Sequence, residues 1–512
     1  MNAARRAWLQ RAALAACAMQ LPRWAWANPQ PWQQDPFALG VASGEPGAHS
    51  LVLWTRLASA PPQLPAQTVH WELAHDAQFR RPVQRGQALA APEWGHSVHV
   101  QLQGLQPGRW YFYRFHCGGA TSATGRTRTA PAAGELPAQL RLVFASCQRW
   151  EHGQYAAWWH AAQDAPDLVL FLGDYIYEYA SPRERSTLAR SHELPLARTL
   201  QDYRDRYALY KSDPLLQAAH AACPWAVTWD DHEVENDWAG SAGRAGPDGA
   251  QAFAPQRAAA FQAYYENMPL SATAWLQGGL QLYRSLDWGQ LARIHLLDDR
   301  QYRDWQACRQ PGSSGAASVR ASDCPSLHDG ARTLLGPAQE QWLAAQLAQA
   351  PARWSVLAQQ TLFSPRHYPS GLQSTDNWDG YPAARARLLA SLQQHPQRNT
   401  VFLGGDIHQN YVCQVHAKAE QPDSALLASE FCSTSISSRS GTTQEKVDAI
   451  ARHNPHVLLA RCEERGYGLA EITPQTWRTT LRAVANPLDA RSPAYNLAQF
   501  VVTDGHPGPV RA

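Results

Sequence analysis

Side chains that bind metals or transfer protons recur in this chain at one kind of position. Each stands at the carboxyl end of a short, largely apolar run: Cys147 after residues 141–146, Asp174 and Tyr177 after 168–173, Asp230, Asp231 and His232 after 225–229, and Asp406 and His408 after 400–405. Thiolate, carboxylate, phenol and imidazole groups that meet at one edge are what a site for several metal ions requires. The spacing therefore predicts a multinuclear metal site.

Taken singly, these residues also fit ordinary structural roles. Cys147 alone is typical of a small buried apolar residue. Asp174 fits a turn after Gly173, and Asp231 or His232 fits a helix cap. Four apolar runs with four endings of ligand type are not expected from turn chemistry, so we favour the metal site.

The apolar runs predict the strands that position these residues. Residues 168–172 are apolar without alternation, which indicates a strand buried on both faces. The carboxyl ends of such strands are where open α/β sheets place their ligands. Helices are predicted at 154–164, at 257–267 and after Pro337, and a further buried strand at 354–360. We therefore predict an α/β catalytic domain over residues 138–490, after an Ala/Pro-rich linker.

The preceding part of the chain has an all-β pattern. Short strands are predicted at 50–57, 69–74 and 96–102, separated by Gly/Pro turns. Residues 105–113 resemble the tyrosine corner of immunoglobulin-like and fibronectin-like domains. We predict an N-terminal β-sandwich over residues 35–131 that shields one flank of the catalytic domain. A module that binds a surface glycan is the alternative.

Composition excludes some classes of partner. A formal charge of +2 over 512 residues gives no polyanion-binding surface, so we expect no nucleic acid as a structural partner. The chain has no apolar run of membrane-spanning length. We expect a monomer without a transmembrane segment.

The first 27 residues resemble a twin-arginine export signal. Arg5 and Arg6 precede a short Ala/Leu stretch, and Ala25-Trp26-Ala27 fits a cleavage site before Asn28. This predicts the twin-arginine machinery as a partner and a periplasmic or secreted location. The alternatives are an arginine-rich first helix of a cytosolic protein and a lipoprotein box ending at Cys17.

Cysteine positions predict at least one disulfide in an exported protein. Cys308 and Cys324 bracket a Gly/Ser-rich insertion, and a bridge between them would close that loop. A further bridge among Cys413, Cys432 and Cys462 is a second possibility that the sequence leaves open.

Longer motifs around the predicted ligands resemble a known family. Gly173-Asp174-x-x-Tyr177 is similar to the metal motif of purple acid phosphatases. The stretches 144–148, 173–178, 228–236 and 297–303 resemble the PhoD-type alkaline phosphatases, and this likeness spans nearly the whole chain. The resemblance implies a metallophosphoesterase fold of two mixed sheets flanked by helices, behind an Ig-like N-terminal sandwich. It also implies Fe³⁺ and two Ca²⁺ ions at the strand ends.

The resemblance assigns roles to individual residues. Cys147, Asp174 and Tyr177 would hold iron, with Asp174 bridging to calcium. Asp231 would take the place of a metal-binding Asn, and His232 that of the His that assists the leaving group. The remaining metal ligands implied by the motifs or by their oxygen chemistry are Asp230, Asn236, Asp406 and His408.

The residue chemistry agrees with these assignments. Thiolate, phenolate and carboxylate suit a trivalent ion, whereas oxygen ligands suit calcium better than zinc. Cations at such a site neutralise phosphoryl oxygens and lower the pKa of a water molecule. Arg300 and Arg303 would add bidentate phosphate contacts, although Arg300 paired with Asp299 is the structural alternative.

The sequence therefore predicts an exported, metal-dependent phosphoesterase for phosphomonoesters and phosphodiesters. One alternative is a diesterase or phospholipase D dedicated to teichoic acid or phospholipid headgroups. Another is a binding protein on a degenerate phosphatase fold, which we disfavour because every expected motif ligand is present.

Overall fold

The computed structural model describes residues 32–58, 64–276, 279–349, 352–395, 399–419, 421 and 423–512. The predicted export signal and Cys17 lie outside these residues. The helices are α1 (Ala156–Gln163), α2 (Leu200–Lys211), α3 (Pro214–Ala222), α4 (Ala250–Asn267), α5 (Gly336–Gln349), α6 (Pro382–Gln393) and α7 (Gln444–His453). The strands are β1 (Val41–Gly44), β2 (Leu51–Arg56), β3 (Gln67–Ala74), β4 (Pro82–Ala90), β5 (Ser97–Leu102), β6 (Trp110–Cys117), β7 (Ala120–Thr121), β8 (Gly125–Arg128), β9 (Leu140–Ala145), β10 (Leu168–Phe171), β11 (Trp225–Val227), β12 (Trp275–Leu276), β13 (Gly279–Leu280), β14 (Arg284–Trp288), β15 (Ala292–Leu296), β16 (Ser318–Arg320), β17 (Trp354–Ala358), β18 (Leu372–Ser374), β19 (Asn399–Gly404), β20 (Asn410–His416), β21 (Leu426–Cys432), β22 (Val457–Arg461), β23 (Arg465–Ile472), β24 (Thr476–Val484), β25 (Ala494–Thr503) and β26 (His506–Arg511).

Two large mixed sheets form the centre of the molecule. The first has ten strands in the order β26-β25-β24-β23-β9-β10-β11-β1-β2-β5, and the second has seven in the order β14-β15-β17-β19-β21-β20-β22. Strands β9, β10 and β11 are parallel neighbours in the first sheet. Strands β15, β17, β19 and β21 are parallel neighbours in the second. Each sheet therefore presents several carboxyl ends at one edge.

Alternate residues of the central strands pack on opposite faces. In β10, Leu168 and Leu170 join the core between the two sheets, whereas Val169 and Phe171 join the core under the helices. Helices α1 to α4 contribute to that outer core, and α5 and α6 cover the second sheet in the same way. The apolar run without alternation is thus explained, because both faces of the strand are buried.

The predicted helices form, with shifted ends. The stretches expected to be helical at 154–164, at 257–267 and after Pro337 correspond to α1, α4 and α5, and α4 begins seven residues earlier than expected. The strand expected at 354–360 is β17, which ends at Ala358.

The N-terminal region has a core of its own, but three of its strands extend the ten-stranded sheet. Strands β3, β4, β6, β7 and β8 make a five-stranded sheet, but β1, β2 and β5 belong to the ten-stranded sheet, which they enter through the parallel pair of Gly44 with Trp225. The Tyr111 hydroxyl accepts a hydrogen bond from the Gln106 backbone N–H (2.9 Å), as expected for a tyrosine corner.

The ten-stranded sheet extends beyond the predicted end of the catalytic domain. It continues past residue 490 through β25 and β26.

The bridge expected between Cys308 and Cys324 is present, which confirms that prediction. Cys413, Cys432 and Cys462 are free thiols, so the second possible bridge does not form. Within the described part of the chain, no helix combines the length and apolar character of a membrane span.

Candidate metal centre

The predicted metal ligands meet where four strand ends approach one another. They follow β9, β10 and β11 of the first sheet and β19 of the second, and Arg300 follows β15 beside them. Four of them leave their strands in the left-handed backbone region: Cys147 (φ 59°), Asp174 (φ 59°), Asp406 (φ 64°) and His408 (φ 53°). Such conformations in non-glycine residues cost energy and cluster at functional sites, so they support a functional role for this edge.

Gly173 and Glu233 join two of these turns. A Cβ on Gly173 would lie 2.4 Å from the Asp230 Cβ, and the residue has φ 110°, so only glycine allows this approach. The Glu233 carboxylate accepts from the backbone N–H groups of Asp174 (3.1 Å), Tyr175 (2.5 Å) and Asp230 (2.9 Å). Burial raises the pKa of Glu233 to about 7, although these donors oppose the shift. Glu233 therefore fixes the relative position of two predicted ligands.

A first cluster contains the thiol, the phenol, a carboxylate and an imidazole. Ligand atoms of Cys147, Asp174 and His408 lie within 4.8 Å of one another. The Tyr177 hydroxyl donates to Asp174 Oδ2 (2.6 Å) and lies 3.0 Å from His408 Nε2. Four donor atoms of different types thus surround one point.

The imidazole of His408 has a fixed orientation. Its Nδ1 lies 2.8 Å from the carbonyl oxygen of Arg439, which can only accept, so Nδ1 carries the proton. Burial lowers the pKa of His408 to about 4, which keeps the ring neutral at ordinary pH. Nε2 therefore carries a lone pair that faces the Tyr177 hydroxyl in the first cluster.

A second cluster consists of carboxylates. One oxygen each from Asp230, Asp231 and Asp406 lies within 4.8 Å of the others. Asp231 Oδ2 accepts from the Asp237 backbone N–H (2.7 Å), and Asp406 Oδ2 accepts from the Thr361 hydroxyl (3.0 Å). This cluster adjoins the first, because Asp174 also groups with Asp231 and His232.

Arg300 is a buried partner of this cluster and not an exposed phosphate contact. Its Nε donates to Asp230, its Nη1 donates to both oxygens of Asp376 (3.0 and 2.9 Å), and its Nη2 lies 3.6 Å from Asp406. Its side chain is 1% exposed. Arg303 is also buried and donates to Asp376. The guanidinium groups are thus occupied by carboxylates, which corrects the bidentate phosphate contacts expected from the sequence.

The pair of Asp299 with Arg300, considered from the sequence, does not form. Asp299 accepts no hydrogen bond from Arg300; its backbone N–H donates to Gln360 Oε1 (3.0 Å), and Gln360 in turn bonds Thr228 and the Leu297 carbonyl. Asp299 therefore holds strand ends together behind the site.

His232 lies between the two clusters and is held by a carboxylate. Its Nδ1 donates to Glu178 Oε2 (2.7 Å), whose Oε1 accepts from the Asn236 backbone N–H (3.0 Å). Its ring lies 4.1 Å from the Tyr177 ring, centroid to centroid. Burial alone would lower the pKa of His232, but Asp231, Glu178 and Asp174 together raise it well above its ordinary value. Glu178, which is not among the predicted metal ligands, thus favours the imidazolium form of this ring.

Asn236 is placed at the rim. Its side-chain amide donates to the Ser314 carbonyl at 3.3 Å. Among the described residues, no hydrogen bond joins this amide to the carboxylates of the site. Its part in metal binding stays a prediction.

The electrostatics of the site call for cations. Burial is the main cause that raises the pKa values of the Asp174, Asp230 and Asp406 carboxyls, and it also raises those of the Cys147 thiol and the Tyr177 phenol. One oxygen each of Asp174, Asp230 and Asp231 is buried without a hydrogen-bond partner among the described residues. Buried carboxylate oxygens without partners are costly unless an ion coordinates them, so the residues fit a metal cluster.

The two donor sets differ in chemistry. Sulfur, phenol oxygen, carboxylate and imidazole in the first cluster suit an iron ion. The oxygen-rich second cluster suits a hard divalent cation such as Ca²⁺.

Several residues that organise the site were not among the predicted ligands. Glu178 and Glu233 occur inside the quoted motifs, yet nothing in their spacing shows which groups they hold. Asp376 follows the edge strand β18 in a polar stretch and gives no signal of its own. Ser438 donates to the Tyr177 hydroxyl (2.8 Å) from a loop 261 residues away.

Comparison with known proteins places this geometry in context. A family model described as PhoD-like phosphatase matches residues 142–481, and one described as the N-terminal domain of PhoD-like phosphatases matches residues 23–131. Alkaline phosphatase D of Bacillus subtilis (strain 168) is 42% identical over 480 residues, covering 91% of this chain and 80% of that protein. A solved structure described as "Structure of PhoD" matches with a TM-score of 0.88 and 40% identity, covering 94% of this chain and 93% of that one.

Proposed function

The chain belongs to the PhoD-like phosphatase family and is a phosphoric ester hydrolase, and from that premise we propose that its hydrolysis depends on iron and calcium ions at the two clusters. Cys147, Asp174, Tyr177 and His408 would hold Fe³⁺. Asp174 would also help to hold calcium. The residues proposed to complete the calcium sites are Asp230, Asp231, Asn236 and Asp406.

One observation carries this proposal. Three buried carboxylates of the site each keep one oxygen without a hydrogen-bond partner among the described residues, and these carboxylates adjoin a buried thiol and phenol. Metal ions bound there would neutralise phosphoryl oxygens and lower the pKa of the attacking water. The protein's own part is to hold the ligands rigidly and to keep each in the required protonation state.

Two residues have roles beside the ions. His232, charged and held by Glu178, would give a proton to the leaving-group oxygen. Arg300 would not touch the ester; it would keep Asp230 ionised and in place through their ion pair.

The ester class is part of the proposal. We propose that phosphomonoesters are hydrolysed and that phosphodiesters are hydrolysed as well. Activity confined to teichoic acid or phospholipid headgroups would instead identify a dedicated diesterase.

We further propose how the chain is organised. Residues 1–27 would be a twin-arginine signal for a periplasmic or secreted monomer. Residues 35–131 would be an Ig-like or fibronectin-like scaffold, supported by the Tyr111 contact to Gln106. The catalytic domain would begin near residue 138.

Metal content and substrate range test the central proposal together. Native protein should contain iron and calcium and show a visible absorption band from thiolate and phenolate bound to iron. Cys147→Ser and Tyr177→Phe should each fold, lose or shift the band, and lose most hydrolysis of a phosphate-ester panel. Colourless, iron-free protein with full activity would refute the iron site but leave the carboxylate site standing.

Export has a separate test. Replacing Arg5 and Arg6 by lysine should leave the precursor in the cytoplasm, because the machinery reads the arginine pair. Cys17→Ala should change nothing, which tests the lipoprotein alternative on the same blot. Normal periplasmic amounts of the double variant would contradict twin-arginine export.

A further inference from the structure

Residues 436–439, a short segment after β21, form hydrogen bonds with the turn that carries Cys147 and with His408. The Ile436 backbone N–H donates to the Ser146 carbonyl (3.0 Å), and Ser437 Oγ donates to the Arg149 carbonyl (2.8 Å). The Arg439 carbonyl accepts from His408, as described above. Residues 436–439 therefore touch the turn that carries Cys147 and also orient one of its neighbours in the cluster.

Ser438, the centre of this segment, lies directly on the phenol. Its side chain is fully buried. Its Oγ lies 2.8 Å from the Tyr177 hydroxyl, 2.9 Å from the Cys147 carbonyl and 3.0 Å from the Arg149 backbone nitrogen. A serine hydroxyl has one proton, so these contacts compete for it.

The surrounding hydrogen bonds decide where that proton goes. The Arg149 N–H can only donate, so Ser438 Oγ accepts there. The Cys147 carbonyl already accepts from the Ser438 backbone N–H (3.2 Å) and from that of Ser437 (3.4 Å). The Tyr177 oxygen donates its own proton to Asp174 and needs a donor in return. The Ser438 proton is therefore best placed on the Tyr177 oxygen.

We infer that Ser438 is a positioning residue for Tyr177, which donates a hydrogen bond to the phenolic oxygen and sets how that oxygen binds iron. This inference rests on the iron site proposed above. With the phenolic proton displaced by the metal, the oxygen keeps Ser438 as a donor. The bond would fix the ring orientation and withdraw charge from the phenolate. Partners of this kind, which contact a ligand and not the metal, typically change metal affinity about 10–100-fold when removed.

The adjacent serine provides a matched control. Ser437 is also buried and bonds the same turn, but its hydroxyl donates to the Arg149 carbonyl, and no hydrogen bond joins it to Tyr177 among the described residues. Ser438→Ala and Ser437→Ala each remove one hydroxyl. A loss of packing or of the turn would therefore affect both variants.

The experiment records visible spectra and iron retention against a graded chelator for native protein and both variants. We expect Ser438→Ala to move the band to longer wavelength, because a phenolate without this donor gives up charge more readily, and to retain iron about 10–100-fold less well. Ser437→Ala should match native protein. In a Tyr177→Phe background, Ser438→Ala should add no further loss of iron, because its effect acts through the phenolic oxygen.

Each contrary result has a distinct meaning. A coloured native protein whose band is unchanged in Ser438→Ala overturns the inference alone, as does an equal change in Ser437→Ala. Further iron loss from Ser438→Ala in the Tyr177→Phe background overturns it as well. A native protein without iron or a band overturns the proposed iron site, and the inference falls with it.

Discussion

Glu178→Gln should separate proton donation from metal binding. Glu178 Oε1 is held by the Asn236 backbone N–H, which requires an acceptor, so the amide oxygen of glutamine should take that place. The amide NH₂ would then face His232 Nδ1, which now donates to Glu178. The ring would have to give up its Nδ1 proton to accept from the amide. His232 would change from a charged acid to a neutral imidazole.

The size of the effect follows from this loss. A positioned general acid contributes about 10²–10⁴-fold to the rate, which is about 3–5 kcal/mol of transition-state stabilisation. Glu178 is also one of the groups that raise the pKa of His232. Its removal lowers that pKa, and since the acid must be protonated, activity should fall at a lower pH in the variant than in native enzyme.

The assay compares leaving groups. Nitrophenyl phosphate has a leaving group that needs little protonation, so Glu178→Gln should slow it far less than an alkyl phosphate. Glu235→Gln is the control, because Glu235 lies on the turn that carries His232 but accepts from the Arg244 backbone N–H. It should leave both rates unchanged.

An equal loss on both substrates, together with reduced metal content, would refute this reasoning. It would mean that Glu178 supports the metal ligands and not the acid. A variant that combines Glu178→Gln with His232→Asn should be no slower than His232→Asn alone, because both changes remove one function. Additive losses would count equally against the proposal.

Three further predictions concern the site and its surroundings. Asp231→Ala should weaken calcium binding more than it weakens folding, measured as calcium content and as free energy of unfolding. Chelation of the native enzyme should abolish activity, and added calcium should restore it. Recovery with magnesium only would contradict the assignment. Arg300→Met should lower the unfolding free energy of chelator-treated protein by about 3–5 kcal/mol, because it leaves Asp230 and its neighbours buried without a cation. Denaturant titrations measure this change, and an unchanged midpoint would argue against the ion pair. The double variant Cys308→Ser with Cys324→Ser should lower the free energy of unfolding by about 3 kcal/mol, because the bridge spans 16 residues. A reductant should produce the same loss in native protein.

Local pattern was enough to predict the strand ends and the side chains on them. Every residue from Leu168 to Leu172 is apolar, which indicates a strand buried on both faces, and the polar residue that follows such a run must lie at the sheet edge. The bridge between Cys308 and Cys324 was also predictable from nearby residues, because both cysteines flank one short loop. Information within a few residues determined these features.

The sheet arrangement was decided by contacts between distant segments. The N-terminal region reads as an independent β pattern, yet Gly44 pairs with Trp225 and carries three of its strands into the central sheet. Nothing in the alternation of β1 or β2 distinguishes a strand at the edge of a small sandwich from one that extends a larger sheet. Strand partners depend on backbone hydrogen bonds, which are the same for every sequence.

The partners of the charged groups could likewise not be predicted from the sequence. Arg300 lies beside Asp299 in the chain but bonds Asp230 and Asp376, which are 70 and 76 residues away. Glu178 lies inside a quoted motif and Ser438 in none, and neither could be assigned from the sequence to His232 or Tyr177. The sequence by itself determined which chemical groups reach this edge. Only the tertiary structure decided which of them are held, neutralised or left with free oxygens, because those properties depend on the few ångströms between atoms that distant segments bring together.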